Sequence, residues 1–425
     1  MEQNIKYFIG LDVHKDSIAI GAAPANSREE PRFIGTTKYS VSQIVKALSR
    51  SECAPSELAI VYEAGPCGYG LQRELVAKGY RCEVVAPSKV PRRPADRIKT
   101  DRRDALLLAR LHRSAELVAV VVPDPADEAV RDLLRAREDA VTAQRCGRQQ
   151  LMALLLRLGK PYRGGRGWTA KHLRFLADLS FDEPHHRIVY TEYRLAVQST
   201  GERIERLEAA IRQAADTWRW QPVVKALMSL RSVDFLTAMT LVAEIGDLRR
   251  FEHPRQLMNY LGLVPSEFSS GNSIQRGPIT RTGNGRVRRL LIEAAWNYRH
   301  PARISPAIHA RHDGLPTSVV EIAWKAQVRL CHRFRKLRLR GLHPNKTCAA
   351  IARELVGFIW DSVARFAQRR HEYGISTTPV ASGYRGPPAP GVVDIPLAAT
   401  TSRERRSTHQ HIEAVTGSAT RCRAR

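Results

Sequence analysis

Residues 5–22 read IKYFIGLDVHKDSIAIGA, two β-rich apolar runs on either side of the polar LDVHKDS. That pattern predicts a strand, a tight connection and an antiparallel partner. Working outward, LAIVYEAG (58–65) and RCEVVAP (81–87) are further apolar runs of strand length, and GYGLQRELVAKG (68–79) between them has helical apolar spacing closed by Gly79. TDRRDALLLARLHRSA (100–115) predicts an amphipathic helix with Thr100 as its cap. Strands and helices in this order predict an α/β domain with a mixed sheet.

Further along, the apolar period becomes helical throughout. Residues 127–158 place Val130, Leu133, Leu134, Val141, Leu151, Leu154, Leu155 and Leu158 at helical intervals, and 187–215 do the same with Ile204, Leu207 and Ile211. Between them lies GKPYRGGRGW, so the pair predicts a long helical hairpin with a basic tip. A mainly α-helical domain is predicted over 222–300, extended by stretches near 317–340 and 346–372. From residue 374 the composition turns to Pro, Ser, Thr, Gly and Arg, and a disordered basic tail is expected. The expected division is therefore 1–120, 121–220, 221–373 and 374–425.

The 425 residues carry 68 Lys and Arg against 42 Asp and Glu, a net charge of +26. With 43% hydrophobic residues the chain can build a core, so the excess charge needs another explanation, and nucleic acid is the leading one. The longest apolar run, LLLARLHRSAELVAVVV, is broken by Arg110, Arg113 and Glu116, and MEQNIKYF lacks the charged and apolar regions of a signal peptide. These features argue against a membrane and make the cytoplasm the expected location. Seven cysteines, at 53, 67, 82, 146, 331, 348 and 422, show no CxxC and no paired Cys/His spacing, which argues against a disulfide scaffold and a structural zinc.

Four carboxylates stand out. Asp12 follows an apolar strand, Glu63 ends the next apolar run, and Asp101 and Asp104 sit three apart on a helix, where both can point at one spot. Strand ends converge in an α/β sheet, and four carboxylates gathered there would repel one another unless divalent cations resolved the repulsion. Mg²⁺ takes oxygen ligands of this kind, and a two-ion clamp can stabilise both the attacking and leaving oxygens of a phosphodiester. Any one of the four alone reads as an ordinary turn or cap residue; the pattern of all four in a basic protein points to chemistry.

A second feature is SEFSSGNSIQRGPITRTGN (266–284), crowded with Ser, Gly, Asn and Thr. It reads either as a polar connection or as a flexible loop that brings a hydroxyl nucleophile to a phosphate held by backbone amides, Arg276 and Arg281. A serine hydroxyl is a weak nucleophile and needs a base or metal to activate it.

FIGLDVHKDS, YEAGPCGYGL and IKTDRRDALLLARL closely resemble the N-terminal RuvC-like (RNase H-like) DEDD domain of insertion-sequence transposases of the IS110 group. LVAEIGDLRRF, QLMNYLGLVPSEFSSG and GPITRTGNGRVRRLLIEAAW are similar to the same family's C-terminal transposase domain, and the two motif sets span roughly residues 5 to 300. The resemblance implies an acidic tetrad at Asp12, Glu63, Asp101 and Asp104 with Mg²⁺; Asp96 matches no tetrad position. It implies a catalytic serine in the SSG stretch, at Ser269 or Ser270, and a covalent phosphoserine intermediate in a composite site formed between protomers of a dimer or tetramer. It also implies a structured guide RNA that pairs with donor and target DNA while the protein reads RNA shape and backbone. The sequence departs from the family at LRSVDFLTA, where Ser232 replaces the usual Gly of a helix-hairpin-helix DNA contact, and in ITRTGN, where Arg281 stands for the common Lys.

Candidate backbone contacts lie in PRRPADRIKTDRR (91–103), with Arg97, Lys99, Arg102 and Arg103, and in the hairpin tip with Arg163 and Arg166; HLRFL, HRFRKLRLR (332–340) and RERR (403–406) are further basic runs. Tyr162 and Trp168 in the tip read equally as base-stacking and as packing residues. Three functions fit the residues: a transposase using Mg²⁺ and a serine, a RuvC-like junction nuclease using metal-activated water, and a non-catalytic basic scaffold. The intact tetrad argues against the scaffold, and the serine loop against the nuclease.

Overall fold

The computed structural model describes residues 4–91, 100–271 and 273–372. Asp96, Arg97, Lys99 and the tail expected from 374 lie outside the described residues.

The opening segment forms β1 (Tyr7–Val13), β2 (Ser17–Pro24) and β3 (Arg32–Lys38), followed by α1 (Val41–Leu48), β4 (Leu58–Glu63), α2 (Gly70–Ala77), β5 (Arg81–Val85) and α3 (Asp101–Arg113). The five strands make one mixed sheet in the order β3-β2-β1-β4-β5. The β1/β2 and β2/β3 pairs are antiparallel, and β4 and β5 join in parallel. Of these five, β3 is the strand the sequence pattern does not announce: it lies at the sheet edge, has Phe33 and Ile34 as its only apolar pair, and buries no residue fully.

Side chains alternate across the sheet. Ile9, Leu11, Leu58, Ile60 and Tyr62 pack with Ile44 and Leu48 of α1 and Leu71 and Leu75 of α2. Val61 and Val85 face the other way, against Leu108 and Leu111 of α3. On that second face Gly10 and Gly21 are cross-strand partners. A Cβ on Gly10 would stand 2.3 Å from the Ala105 carbonyl oxygen and 2.5 Å from the Ala109 nitrogen, and one on Gly21 would stand 2.8 Å from the same carbonyl. Only a glycine pair lets the α3 backbone lie directly on the strands.

The rest of the described chain is rich in helix. α4 (Pro125–Arg157) and α6 (Pro184–Thr217) form the expected antiparallel hairpin, with α5 (Ala170–Asp178) at its tip. Its base is fastened by Asp127, whose carboxylate accepts from Trp218 Nε1 at 2.8 Å and Trp220 Nε1 at 3.1 Å and pairs with Arg219. Next come α7 (Gln221–Met228), α8 (Phe235–Ile245), α9 (Pro254–Tyr260), a small sheet of β6 (Pro265–Glu267) and β7 (Arg276–Ile279), α10 (Gly285–Ala295), α11 (Pro306–Ala310), α12 (Thr317–Leu339) and α13 (Pro344–Glu372). Buried residues of α7, α8, α9, α10, α12 and α13 share one apolar core. Each fully buried Leu or Ile there contributes roughly 1.5–3 kcal/mol. Among the described residues no helix is long and apolar enough to cross a membrane, and the six cysteines form no disulfide.

Candidate active site

The carboxylate corner follows from the strand period and the glycine pair. Asp12 lies two residues beyond Gly10, on the same face of β1, and Glu63 lies two beyond Val61 on the matching face of β4. The parallel register pairs Leu11 with Tyr62, which brings Asp12 and Glu63 side by side at the ends of neighbouring strands. α3 runs back over β1 from this end, and Asp101 and Asp104 occupy its first turn. Thr100 caps that turn, its Oγ1 accepting the Arg103 N–H at 3.3 Å.

Three of the groups in this corner converge closely. His14 Nε2 stands 3.2 Å from Asp12 Oδ2 and 3.5 Å from Asp101 Oδ1, and one ligand atom from each lies within 4.8 Å of the others. Burial is the largest influence on Asp12 and pushes its carboxyl above the ordinary aspartate range; His14 opposes the shift, while Asp104 and then Asp101 add to it. The sequence reading missed His14, although it lay in the quoted turn two residues after Asp12.

The serine stretch is a hairpin rather than a plain loop. β6 and β7 pair antiparallel, Phe268 N–H donates to Gln275 O at 2.9 Å, and Ser270 and Ser273 exchange both backbone hydrogen bonds at 3.1 Å. Its base is a backbone clasp in which Gly262 and Gly283 have φ of +62° and +70°. A Cβ on Gly283 would lie 1.9 Å from the Tyr260 carbonyl oxygen, and one on Gly262 would lie 2.3 Å from that of Thr282. Ser269 is exposed and its Oγ donates to Glu267 Oε1 at 2.9 Å; Glu267 also pairs with Arg276 at 3.5 Å. These bonds all close within the hairpin itself. The structure thus gathers Asp12, His14, Asp101 and Asp104 around the end of β1 with Glu63 beside them, and carries the two serines on a separate projection of the helical core.

Near the end of that hairpin lies a cleft of ≈ 590 Å³, lined by Arg135, Glu138, Glu244, Asn284, Arg286 and Arg289. Glu244 accepts from Arg135 at 2.8 and 2.9 Å and from Asn284 Nδ2 at 2.7 Å. Burial works against its charge, but these hydrogen bonds outweigh it and hold the carboxyl below the ordinary glutamate range. Sequence reasoning did not find this junction, since its bonded partners lie up to 151 positions apart.

Arg102, Arg103, Arg163, Arg166, Arg276 and Arg281 are all exposed. Arg102 lies over the Phe33 ring at 5.4 Å, and Arg281 has a positive φ of 57°. Tyr162 and Trp168, both half-buried, pack against His172, with ring centroids 4.4 and 5.2 Å away.

Comparison with known proteins places both halves in one class. Residues 9–159 match a family model described as transposase, the DEDD type of IS110, and residues 224–312 match the transposase IS116/IS110/IS902 family. The chain is 46% identical over 362 residues to the y4qE protein of Sinorhizobium fredii (strain NBRC 101917 / NGR234), covering 85% of this chain and 89% of that one. It is 34% identical over 336 residues to the transposase for insertion sequence element IS1533 of Leptospira borgpetersenii, covering 78% and 97%. The transposase for insertion sequence element IS1111A of Coxiella burnetii is similar at 25% over 363 residues, covering 84% and 89%. The chain belongs to the IS110 family of insertion-sequence transposases, enzymes that cleave and rejoin DNA.

Proposed function

We propose that this transposase cuts and rejoins the strands of its insertion sequence through a RuvC-like site in which Asp12, Glu63, Asp101 and Asp104 hold Mg²⁺ and a hairpin serine is the nucleophile. The observation that carries the reading is the seating of α3 on Gly10 and Gly21, which sets two carboxylates of the helix over those of the sheet. The donor set fits: hard carboxylate oxygens crowd together, and Asp12 is held there at a cost to its charged form that a divalent cation would offset. When bound, Mg²⁺ supplies Lewis-acid stabilisation of the phosphodiester and lowers the cost of forming an alkoxide.

Of the two serines, Ser269 is favoured, because its hydroxyl already donates to the Glu267 carboxylate while the Ser270 backbone closes the turn. Its Oγ forms a bond to phosphorus, its proton passes to a carboxylate, and the displaced deoxyribose oxygen leaves and takes up a proton; reverse attack by a strand end restores the phosphodiester. The exposed Arg102, Arg103, Arg163, Arg166, Arg276 and Arg281 and the net +26 suit phosphate backbones of element ends, target DNA and a structured guide RNA. Residues 1–120 act as the catalytic domain, 121–220 as a helical linker, and 221–373 as the serine-bearing domain of a homo-oligomer, a dimer or tetramer.

The test is a recombination assay with donor DNA, target DNA and the element's RNA. Asp12→Ala, Glu63→Ala and Asp104→Ala each abolish strand cleavage while nucleic-acid binding persists. Near wild-type recombination by all three variants would overturn the proposal.

A further inference from the structure

Among the described residues, the group of metal-ligating side chains that converges at the end of β1 includes one outside the acidic tetrad. We propose that His14 is a direct nitrogen ligand of the divalent cation, beside Asp12 and Asp101, and that it biases the site toward a transition ion such as Mn²⁺. This rests on the metal-binding reading of the carboxylate corner given above.

Three observations carry it. His14 Nε2 is 3.2 Å from Asp12 Oδ2 and 3.5 Å from Asp101 Oδ1. Two ligands at right angles on an ion bonded at about 2.1 Å stand about 3 Å apart, so the three atoms already have the spacing of a shared coordination sphere. The backbone also fixes the ring's point of attachment, since His14 N–H donates to Ser17 O at 2.9 Å and closes the β1–β2 turn. Finally, His14 reaches across two elements, its own turn and the first turn of α3, while its side chain stays 51% exposed. It therefore borders the open side of the corner, where water and a phosphate would complete a metal's ligands.

The chemistry sets the consequence. Mg²⁺ prefers oxygen and gives up water reluctantly, whereas imidazole nitrogen suits first-row transition ions. Replacing one oxygen by Nε2 favours Mn²⁺ over Mg²⁺ without excluding either. A surface histidine that merely ion-pairs with Asp12 would give no such bias and no metal–nitrogen bond.

The experiment uses the full chain labelled with [¹⁵N]histidine and loaded with Mn²⁺ alone, read by pulsed electron paramagnetic resonance, with Mn²⁺ and Mg²⁺ affinities from calorimetry. The wild type shows a directly bonded ¹⁵N coupling that disappears in His14→Ala and His14→Asn. Mn²⁺ affinity in those variants falls at least about tenfold, the least that loss of even an outer-sphere partner costs, and Mg²⁺ affinity falls less. Asp12-dependent Mn²⁺ binding with no ¹⁵N coupling, or a coupling that persists in both His14 variants, overturns the role of His14 and leaves the carboxylate site standing. Failure of the wild type to bind either ion overturns the metal reading itself.

Discussion

Asp12 sits beneath a helix whose backbone touches the sheet, whereas Ser269 sits on a two-stranded hairpin with little around it. At the first site, Gly10 and Gly21 admit α3, Leu108 and Leu111 pack it against Val61 and Val85, and Arg113 at its far end donates to the carbonyls of Ser27 and Glu29 at 3.0 and 2.8 Å. At the second, Leu263 and Ile279 anchor the base in the helical core, but Phe268 is 76% and Ile274 63% exposed on either side of the serines. The contrast divides the work. Folding alone sets the carboxylate geometry, while the hairpin leaves its hydroxyls and two apolar side chains exposed.

The sharpest way to break this contrast is to wedge α3 off the sheet. Gly10→Val places a branched side chain where even a Cβ would overlap the Ala105 carbonyl. It should destabilise the protein by about 3 kcal/mol in denaturant titration and abolish divalent-cation binding. A value near zero with cation binding retained would show that the close approach does not build the site.

A pH series tests the same docking less severely. His112, on the buried side of α3, meets the Phe8 ring edge-on, and burial pushes its pKa down to about 4. The unfolded chain then takes up this proton first, so the contribution is present above the ordinary histidine pKa of about 6.5 and is lost as pH falls toward about 4. Thermal melts across that window should show His112→Gln losing part of the wild type's acid sensitivity, and parallel slopes would contradict the assignment.

Smaller effects are expected in the helical half. Ser232 has φ +68°, a left-handed conformation that costs a side chain more than a glycine. Ser232→Gly should stabilise the chain by roughly 0.5–1 kcal/mol in the same titration. The smallest stability change belongs to the hairpin, where Phe268→Ser should alter stability by less than about 0.5 kcal/mol yet lower strand transfer. A large loss of stability would mean that the hairpin is packed more firmly than its exposure indicates.

Much of the N-terminal sheet was legible because β1, β2, β4 and β5 carry buried apolar runs, and α3 because its cap and apolar period are local signals. The carboxylates could be named from their positions at strand ends and one turn apart. The glycine pair could not, since its meaning depends on the register that sets Gly10 opposite Gly21. His14 was hidden by its place in a polar turn, where histidine is unremarkable until α3 is laid beside it. The serine hairpin was masked by Ser, Gly and Pro, which carry no strand pattern. At Ser232 the missing glycine put a helix-hairpin-helix turn in doubt, yet the backbone between α7 and α8 keeps the left-handed residue that glycine would have supplied.

The most direct test of the central claim, that the carboxylate corner and the hairpin serine act in one reaction, is a denaturing gel of the full chain with labelled donor DNA and the element's RNA. A protein–DNA adduct should form with Mg²⁺, vanish when the metal is chelated, and be absent in Asp12→Ala and in the alanine variant of the correct serine. Strand cleavage without any adduct, at full activity in the double Ser269→Ala, Ser270→Ala variant, would contradict the account and assign the attack to activated water.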